Sequence, residues 1–319
     1  MPRKPIQTFG KQLSEEEAST TDTTPKEEDI ELFVQTRKAS AVATSQPKIK
    51  QLVFGSQSTQ TWFSAPFPAE YITQKGTLWI CEFCLSYFSS ELTMSRHAVK
   101  CSIRHPPGNQ IYDDQKIQVF EVNGTDEKGY CQNLCLISKL FLDHKTLYYD
   151  VEPFLFYVFT ERDDSGFHIV GYFSKEKNAS CPFNLSCILV LPFHQRKGYG
   201  SFIIDFSYLL STEEKRVGTP EKPLSDLGLK GYKSFWKIKV LEFFQEADRS
   251  EIDSCSIADI SRKTGMSVDD VIIAFEDLGL VSRQNSVAIN RKMFNLKPRL
   301  RPDIKFLRWT PMLHFVIPE

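Results

Sequence analysis

Cys81-x2-Cys84, a gap of twelve residues, then His97-x3-Cys101 limits what this chain can fold into more than any other feature of the sequence. Four metal-ligating side chains at that spacing must converge on one point, so residues 81–101 have to fold back on themselves. The first pair suits a tight knuckle, and His97 and Cys101, four apart, share one face if a helix carries them. Four protein ligands close a tetrahedral shell and leave no position for water, so a zinc ion held there is expected to be structural and not catalytic. The stretch Ser89-Ser-Glu-Leu-Thr-Met-Ser-Arg96 offers a single arginine where a base-reading finger presents several Arg, Asn or Gln, which argues against DNA recognition by this element.

Around that anchor the composition divides the chain of 319 residues. Residues 1–47 are rich in Ser, Thr, Gln, Glu and Lys with almost no aromatic side chain, and are expected to form a disordered leader. From Gln51 onward Phe54, Trp62, Phe63, Phe67, Tyr71, Leu78 and Trp79 arrive in quick succession, as a folded domain requires. The 39 basic and 40 acidic residues give a net charge of -1, which is not the footprint of a chain held to nucleic acid by phosphate neutralisation. No secretory leader follows Met1-Pro-Arg-Lys, and no run approaches the roughly 18 apolar residues of a membrane span, so the chain reads as soluble and intracellular. Its eight cysteines are then free thiols, ligands or catalytic groups rather than a disulfide framework.

Periodicity predicts a helix over Gln132–Asp143, with Leu134, Ile137, Leu140 and Phe141 on one face. Phe154–Phe159 and His168–Phe173 read as strands joined by the turn-forming Asp163-Asp-Ser-Gly166. A third strand, Cys187–Leu191, runs into Pro192, and a helix follows Gly198 with Phe202, Ile203, Phe206, Leu209 and Leu210 on one face. Beyond these, Ser256-Ile-Ala-Asp259 caps one helix, Thr264-Gly-Met266 turns, and Ser267 opens a second helix that stops at Gly279. A hairpin near Ser286–Ile289 would complete a winged-helix-like unit.

Gln195-Arg-Lys-Gly-Tyr-Gly200 lies between the third strand and its helix, where glycines let the backbone approach a ligand and unpaired helix N–H groups face a phosphate. It lacks the Gly pattern of a nucleotide triphosphatase and that of a dinucleotide fold. On its own it is also compatible with an ordinary strand-to-helix turn.

That loop resembles the acetyl-CoA loop of lysine acetyltransferases, and its surroundings resemble the MYST family from about Gln51 to Pro311. Trp62–Pro68, the zinc pattern, Arg104-His-Pro-Pro-Gly108, Gln132–Leu136, Phe141–Tyr149, Gly171–Lys177 and Gly218–Gly228 carry the likeness. Asn184–Cys187 and Ile204–Leu210 are most similar to the MOZ branch. The resemblance implies an α+β fold: a GNAT-like acetyl-CoA-binding central core, an N-terminal zinc-finger (C2HC) subdomain and a C-terminal winged-helix-like subdomain. The zinc-finger subdomain would then span 48–115, the acetyl-CoA-binding core 116–230 and the winged-helix-like subdomain 231–319. It also implies histone lysine acetylation and nuclear, chromatin-regulating action.

By resemblance, Cys81, Cys84, His97 and Cys101 hold one zinc ion and Glu221 is the general base. A substrate lysine, with a pKa of about 10.4, must lose a proton before its amine attacks a thioester. Without the family, Glu221 reads as a surface residue of a Pro-Glu-Lys-Pro loop. Cys187 matches the cysteine beside the thioester; a transient acetyl-cysteine stays open, with direct transfer the expected route, because a cysteine in an apolar strand is commonly a buried hydrophobe. Lys145, which otherwise reads as a solvated helix-end lysine, matches a self-acetylated residue whose modification opens the site. Ile188, Leu189 and Val190 are expected to contact the acetyl and pantetheine portion. Gln195, Arg196, Lys197, Gly198, Tyr199, Gly200 and Ser201 form the pyrophosphate loop, with Ser225 and Ser234 as further cofactor contacts.

Four positions depart from the family pattern: Val190 stands for a threonine-like residue, Phe193-His194 for a Gln-Tyr or Pro-Tyr pair, and Gln110 for an acidic residue. The second helix of the C-terminal unit carries Asp269, Asp270, Glu276 and Asp277 without a lysine or arginine, so direct DNA binding is expected to be weak or absent and the unit to pack against the peptide groove. Arg283, Arg291, Lys292 and Arg299 remain as weak chromatin contacts. With no reader module recognisable ahead of the zinc pattern, targeting to histone tails and nucleosomes is expected from scaffold and reader subunits, without a membrane. The competing reading is a catalytically weak, zinc-containing scaffold subunit of a chromatin complex.

Overall fold

The computed structural model describes residues 49–178, 180–246, 255–280, 298 and 300–311. The leader, the hairpin near Ser286–Ile289, and Arg283, Arg291, Lys292 and Arg299 lie outside the described residues. Near the N-terminal end of the described region, strand β1 (Gln51–Phe54) pairs antiparallel with β2 (Gln57–Gln60) and parallel with β3 (Thr77–Ile80), which in turn pairs with β4 (Tyr87–Phe88). Helix α1 (Glu91–Lys100) follows, its first turn capped by Ser90, whose hydroxyl accepts the Thr93 N–H at 3.2 Å.

The central sheet has five strands in the order β10-β8-β7-β6-β5. They are β5 (Asn109–Asp113), β6 (Gln118–Asn123), β7 (Phe154–Asp163), β8 (Gly166–Glu176) and β10 (Cys187–Val190), each antiparallel to its neighbour. Because β5 pairs with β6, the sheet begins before the 115/116 boundary read from sequence; hydrogen bonding, and not the end of the cysteine pattern, decides where the core starts. The aromatic run on β7 alternates strictly. Phe156 and Val158 enter the core under helix α2 (Lys128–Lys139), while Leu155, Tyr157 and Phe159 enter the core under α3 (Tyr199–Glu213). The finger strands contribute Leu52, Phe54, Leu78 and Ile80, and the knuckle between β3 and β4 contributes Leu85, to the first of these cores, so finger and sheet are stabilised by a shared apolar mass.

Helix α2 begins and ends four residues earlier than the predicted 132–143, because the chain turns after Leu140 to deliver Trp62 and Phe63 N–H groups onto the Leu140 carbonyl at 2.9 and 3.0 Å. Helix α3 was expected to have one apolar face. Phe202, Ile203, Phe206 and Leu210 form that face, but Ile204 and Tyr208 on the other side are also buried, against α4 (Asp226–Glu246), α5 (Ile257–Thr264) and α6 (Val268–Leu278). Ser256 and Asp259 form a capping box on α5, Gly265 (φ 70°) ends it, and Ser267 caps α6, as the sequence predicts. No helix among the described residues is long and apolar enough to cross a membrane.

Candidate active site and metal centre

In the metal centre, the chain between Cys81 and Leu85 closes into a knuckle through Leu85 N–H to Cys81 C=O and Cys81 N–H to Ser86 C=O, both 2.9 Å, with Leu85 in the left-handed region at φ 61°. His97 lies in the last turn of α1, and Cys101 is not a helical residue but the extended cap that follows it, tied back by its N–H to the His97 carbonyl at 2.7 Å. The expected shared face therefore comes from a helix end. The ligand atoms of Cys81, Cys84, His97 and Cys101 all lie within 4.8 Å of one another, close to the separation of about 3.8 Å that a tetrahedral zinc–sulfur shell needs. Hydrogen bonding from the Cys81 thiol, then from Ser86, holds the Cys84 thiol down to about 4, which supplies a ready thiolate ligand. The residues fit a structural zinc ion.

Strand β10 is the edge of the central sheet, and its side chains divide by the period of two. Cys187 and Leu189 turn toward the α2 side, Ile188 and Val190 toward α3. Past Val190 the chain makes a tight turn at Pro192–His194, and Gln195 returns its side-chain amide to the Val190 carbonyl at 3.1 Å. Arg196 (φ 63°) and Gly198 (φ 103°) then take positive φ, and Gly198 becomes the N-cap of α3 with no side chain capping the first-turn N–H groups. A Cβ added at Gly200 would meet nothing nearer than Val190 Cγ2 at 4.0 Å, so there is open space over the helix N-terminus. Uncapped amides, positive-φ turns and open space suit a pyrophosphate.

Glu221 is 34 positions beyond Cys187 in sequence and is returned to it by pairing. Strand β11 (Thr219–Pro220) runs parallel to β9 (Phe183–Leu185), and the Glu221 N–H donates to the Leu185 carbonyl at 2.9 Å, two residues before Cys187. Its side chain is exposed, as the loop reading suggested. Lys145 is not the solvated helix-end residue that its sequence context describes: it is partly buried and its Nζ points to the Cys187 sulfur at 3.5 Å. Ser225 caps α4, its hydroxyl accepting the Gly228 N–H at 3.1 Å, and Ser234 is exposed about two and a half turns further along that helix.

Comparison with known proteins bears directly on this arrangement. Residues 105–302 match the MOZ/SAS family, and residues 46–101 match the MYST family zinc finger domain. The chain belongs to the MOZ/SAS family. Among its relatives, the mouse protein named histone acetyltransferase KAT6B is 47% identical over 306 residues, covering 90% of this chain and 16% of the relative. The fission-yeast protein named histone acetyltransferase mst2 is 46% identical over 277 residues, covering 83% of this chain and 67% of the relative. A Caenorhabditis elegans protein named as a Tip60 homolog is 44% identical over 275 residues, covering 82% and 60%. The chain thus spans about a sixth of the length of the mammalian relatives it matches.

Tyr172, Ser138 and Cys135 are given no individual role by the sequence. Tyr172 places its hydroxyl 3.6 Å from the Cys187 sulfur and 2.7 Å from the hydroxyl of Ser138, which donates its proton to the Leu134 carbonyl. Burial pushes the Cys135 thiol up to about 11 despite the Lys145 ammonium beside it. Burial also works against the charge on Lys145, but the sulfurs of Cys187 and Cys135 outweigh it and hold its pKa above the ordinary value. The result is a polar cluster under β10 of one cation, two sulfurs and two hydroxyls, assembled from α2, β8, β10 and residue 145. Of the departures from the family pattern, Gln110 is an exposed β5 residue bonded to Asp113, and Phe193 stacks on Phe54 at 6.0 Å. Burial, and then the charge of Lys197, push the His194 pKa below its ordinary value, beside Tyr199 at the start of the loop's helix.

Proposed function

We propose that this chain transfers the acetyl group of acetyl-CoA to the ε-amine of lysines in core-histone tails. Acetyl-CoA supplies the thioester; the chain binds it, orients it and removes a proton from the attacking amine. The observation that carries the reading is the return of Glu221 to the Cys187 end of β10 by the β9–β11 pairing, on the same strand whose other end leads into an uncapped helix N-terminus, in a MOZ/SAS chain.

Gln195, Arg196, Lys197, Gly198, Tyr199, Gly200 and Ser201 hold the pyrophosphate through backbone N–H groups and the positive end of α3. Ile188, Leu189 and Val190 lie on an edge strand, whose outer backbone groups are available to the pantetheine chain. Ser225 and Ser234 are further contacts at and beyond the start of α4. Glu221 accepts the proton of the incoming lysine, directly or through water; the amine then forms the C–N bond as the C–S bond of the thioester breaks. Cys187 stands beside that carbon as a neighbour in a direct transfer. Lys145, held against the Cys187 sulfur, is the residue expected to be self-acetylated, and losing its charge would release it from that contact. The zinc ion keeps the finger folded against the core and has no part in the chemistry.

Histone tails are the substrate class, since relatives of this chain are named histone acetyltransferases. A nuclear location and chromatin-complex partners that supply targeting follow from that substrate. Purified chain incubated with labelled acetyl-CoA and core histones is expected to label the histones. At pH 7.4 only about one lysine in a thousand is unprotonated, from a pKa near 10.4. Glu221→Gln should therefore lose on the order of 1000-fold in kcat at that pH and regain about tenfold per pH unit toward pH 10. Zinc-loaded wild type that binds acetyl-CoA yet labels neither histones nor itself would overturn the proposal.

A further inference from the structure

The acidic second helix of the C-terminal unit reads from sequence as a face hostile to phosphate, yet one of its carboxylates does not face solvent at all. Asp270 is 0% exposed. It sits in the first turn of α6, where its own N–H is taken by the Ser267 hydroxyl at 3.2 Å. Its Oδ2 accepts from the Thr219 hydroxyl at 2.7 Å and its Oδ1 from the Lys222 ammonium at 3.1 Å. Both donors belong to the short segment that carries Glu221, one two residues before it and the other immediately after. The same segment is tied to the same unit through its backbone: Gly218 N–H donates to the Gly265 carbonyl at 2.8 Å, and Ser267 N–H donates to the Gly218 carbonyl at 3.2 Å. On its other side Glu221 N–H is held by Leu185.

We propose that Asp270 is a positioning residue for Glu221, through which the helix-turn-helix unit sets where the base stands over the end of β10. The inference rests on the reading of Glu221 as the general base. A carboxylate buried this completely is tolerable only while its partners stay in place, because an unpaired charge away from water is strongly disfavoured. Any displacement of residues 219–222 breaks the Thr219 or the Lys222 contact and leaves Asp270 uncompensated, so the carboxylate acts as a stiff restraint on the segment. Glu221 itself stays exposed to receive a substrate lysine. The backbone of its segment is therefore fixed between β9 and α6 while its side chain remains free to reach the amine. Displacing a reacting group by about 1 Å costs on the order of 100-fold in rate, which is the scale on which such a restraint matters.

The test uses the full chain as wild type, Asp270→Asn, Thr219→Val and Lys222→Gln, each also combined with Glu221→Gln. It measures kcat and KM for acetyl-CoA with a histone-tail peptide, acetyl-CoA binding and the thermal midpoint. Asp270→Asn is expected to lower kcat by about 10- to 100-fold with KM for acetyl-CoA and acetyl-CoA affinity unchanged. Thr219→Val and Lys222→Gln should lower kcat in the same direction by less. In the Glu221→Gln background the same substitutions should have no further effect on the residual rate, because the group they position is gone. Equal fractional losses in both backgrounds, or a folded Asp270→Asn chain with full kcat, would overturn the proposal. Should Asp270→Asn fail to fold, the half-exposed Lys222 and the neutral Thr219 substitution decide the question by the same cycle. An active wild type that is indifferent to Glu221→Gln refutes the base assignment and this inference with it; an active wild type that needs Glu221 but ignores Asp270 refutes this inference alone.

Discussion

Gly171→Ala adds a single methyl group and is expected to damage both stability and acetyl transfer. Gly171 lies on β8 opposite Val190 at the end of β10. A Cβ built there would stand 2.4 Å from the Leu189 carbonyl oxygen and 3.1 Å from Val190 Cα, both backbone atoms, and 3.2 Å from the Cδ1 of the fully buried Ile203. Ordinary non-bonded contact is about 3.5 Å, so β10 must retreat by about 1 Å or the pairing must open. Overpacking of this kind costs about 1–3 kcal/mol, and for a domain of this size each kcal/mol lowers the midpoint by roughly 2–4 °C. The expected fall is about 2–12 °C. Because β10 carries Cys187 and the backbone proposed to line the donor, the same 1 Å retreat should cost on the order of 100-fold in kcat/KM. Gly129→Ala is the control: it lies in the first turn of α2, is exposed, and its Cβ would meet nothing within 4 Å. It should gain about 0.5–1 kcal/mol through lower unfolded-chain entropy and better helix propensity. Thermal unfolding followed by circular dichroism, with initial acetylation rates, reads both. Equal midpoints and equal rates for the two alanine variants would refute the packing argument.

Removing the metal with a strong chelator should destabilise more than the finger, since Leu85 and its strands share a core with the sheet. Losing even a third of the roughly 10 kcal/mol typical of structural zinc would lower the midpoint by about 10 °C; a metal-free chain that melts where the loaded chain does would contradict the structural role. His168 links the finger to the β7–β8 hairpin through Glu82 at 2.7 Å and Asp163 at 2.8 Å. Burial opposes its charge, but those carboxylates outweigh it and raise its pKa above the ordinary value of about 6.5. Its stabilisation is therefore fully present below about pH 6.5 and is lost as pH rises through the higher folded value. The melting-temperature gap between wild type and His168→Gln should be widest near pH 6 and close toward pH 9, and a gap that widens with pH would contradict it.

The sequence made some of the site legible because local chemistry carries it. The ligand spacing of Cys81, Cys84, His97 and Cys101 survives any packing that closes the knuckle. The caps at Ser256, Ser267, Gly265 and Gly279 act within one turn of their own helices. Alternation on β7 and β8 needs only the period of two, and the strand-to-helix loop needs only its glycines. Lys145 entered the site only by family resemblance, because a lysine after an apolar helix is ordinarily solvated and nothing nearby in sequence announces that β10 and α2 bring two sulfurs to it.

What the sequence determined by itself, then, is everything governed by neighbours along the chain: the metal-ligand set, the elements, their caps and the glycine loop between β10 and α3. Tertiary structure alone decided which distant groups meet. It joined Glu221 to the Cys187 strand through β9 and β11, put Tyr172 and Ser138 behind the cysteine, and turned Asp270 from a repelling surface charge into a buried tie. The physical reason is that a pattern of spacing fixes directions only within an element, whereas a buried charge or a sheet edge finds its partner across the fold, where desolvation makes that partner obligatory.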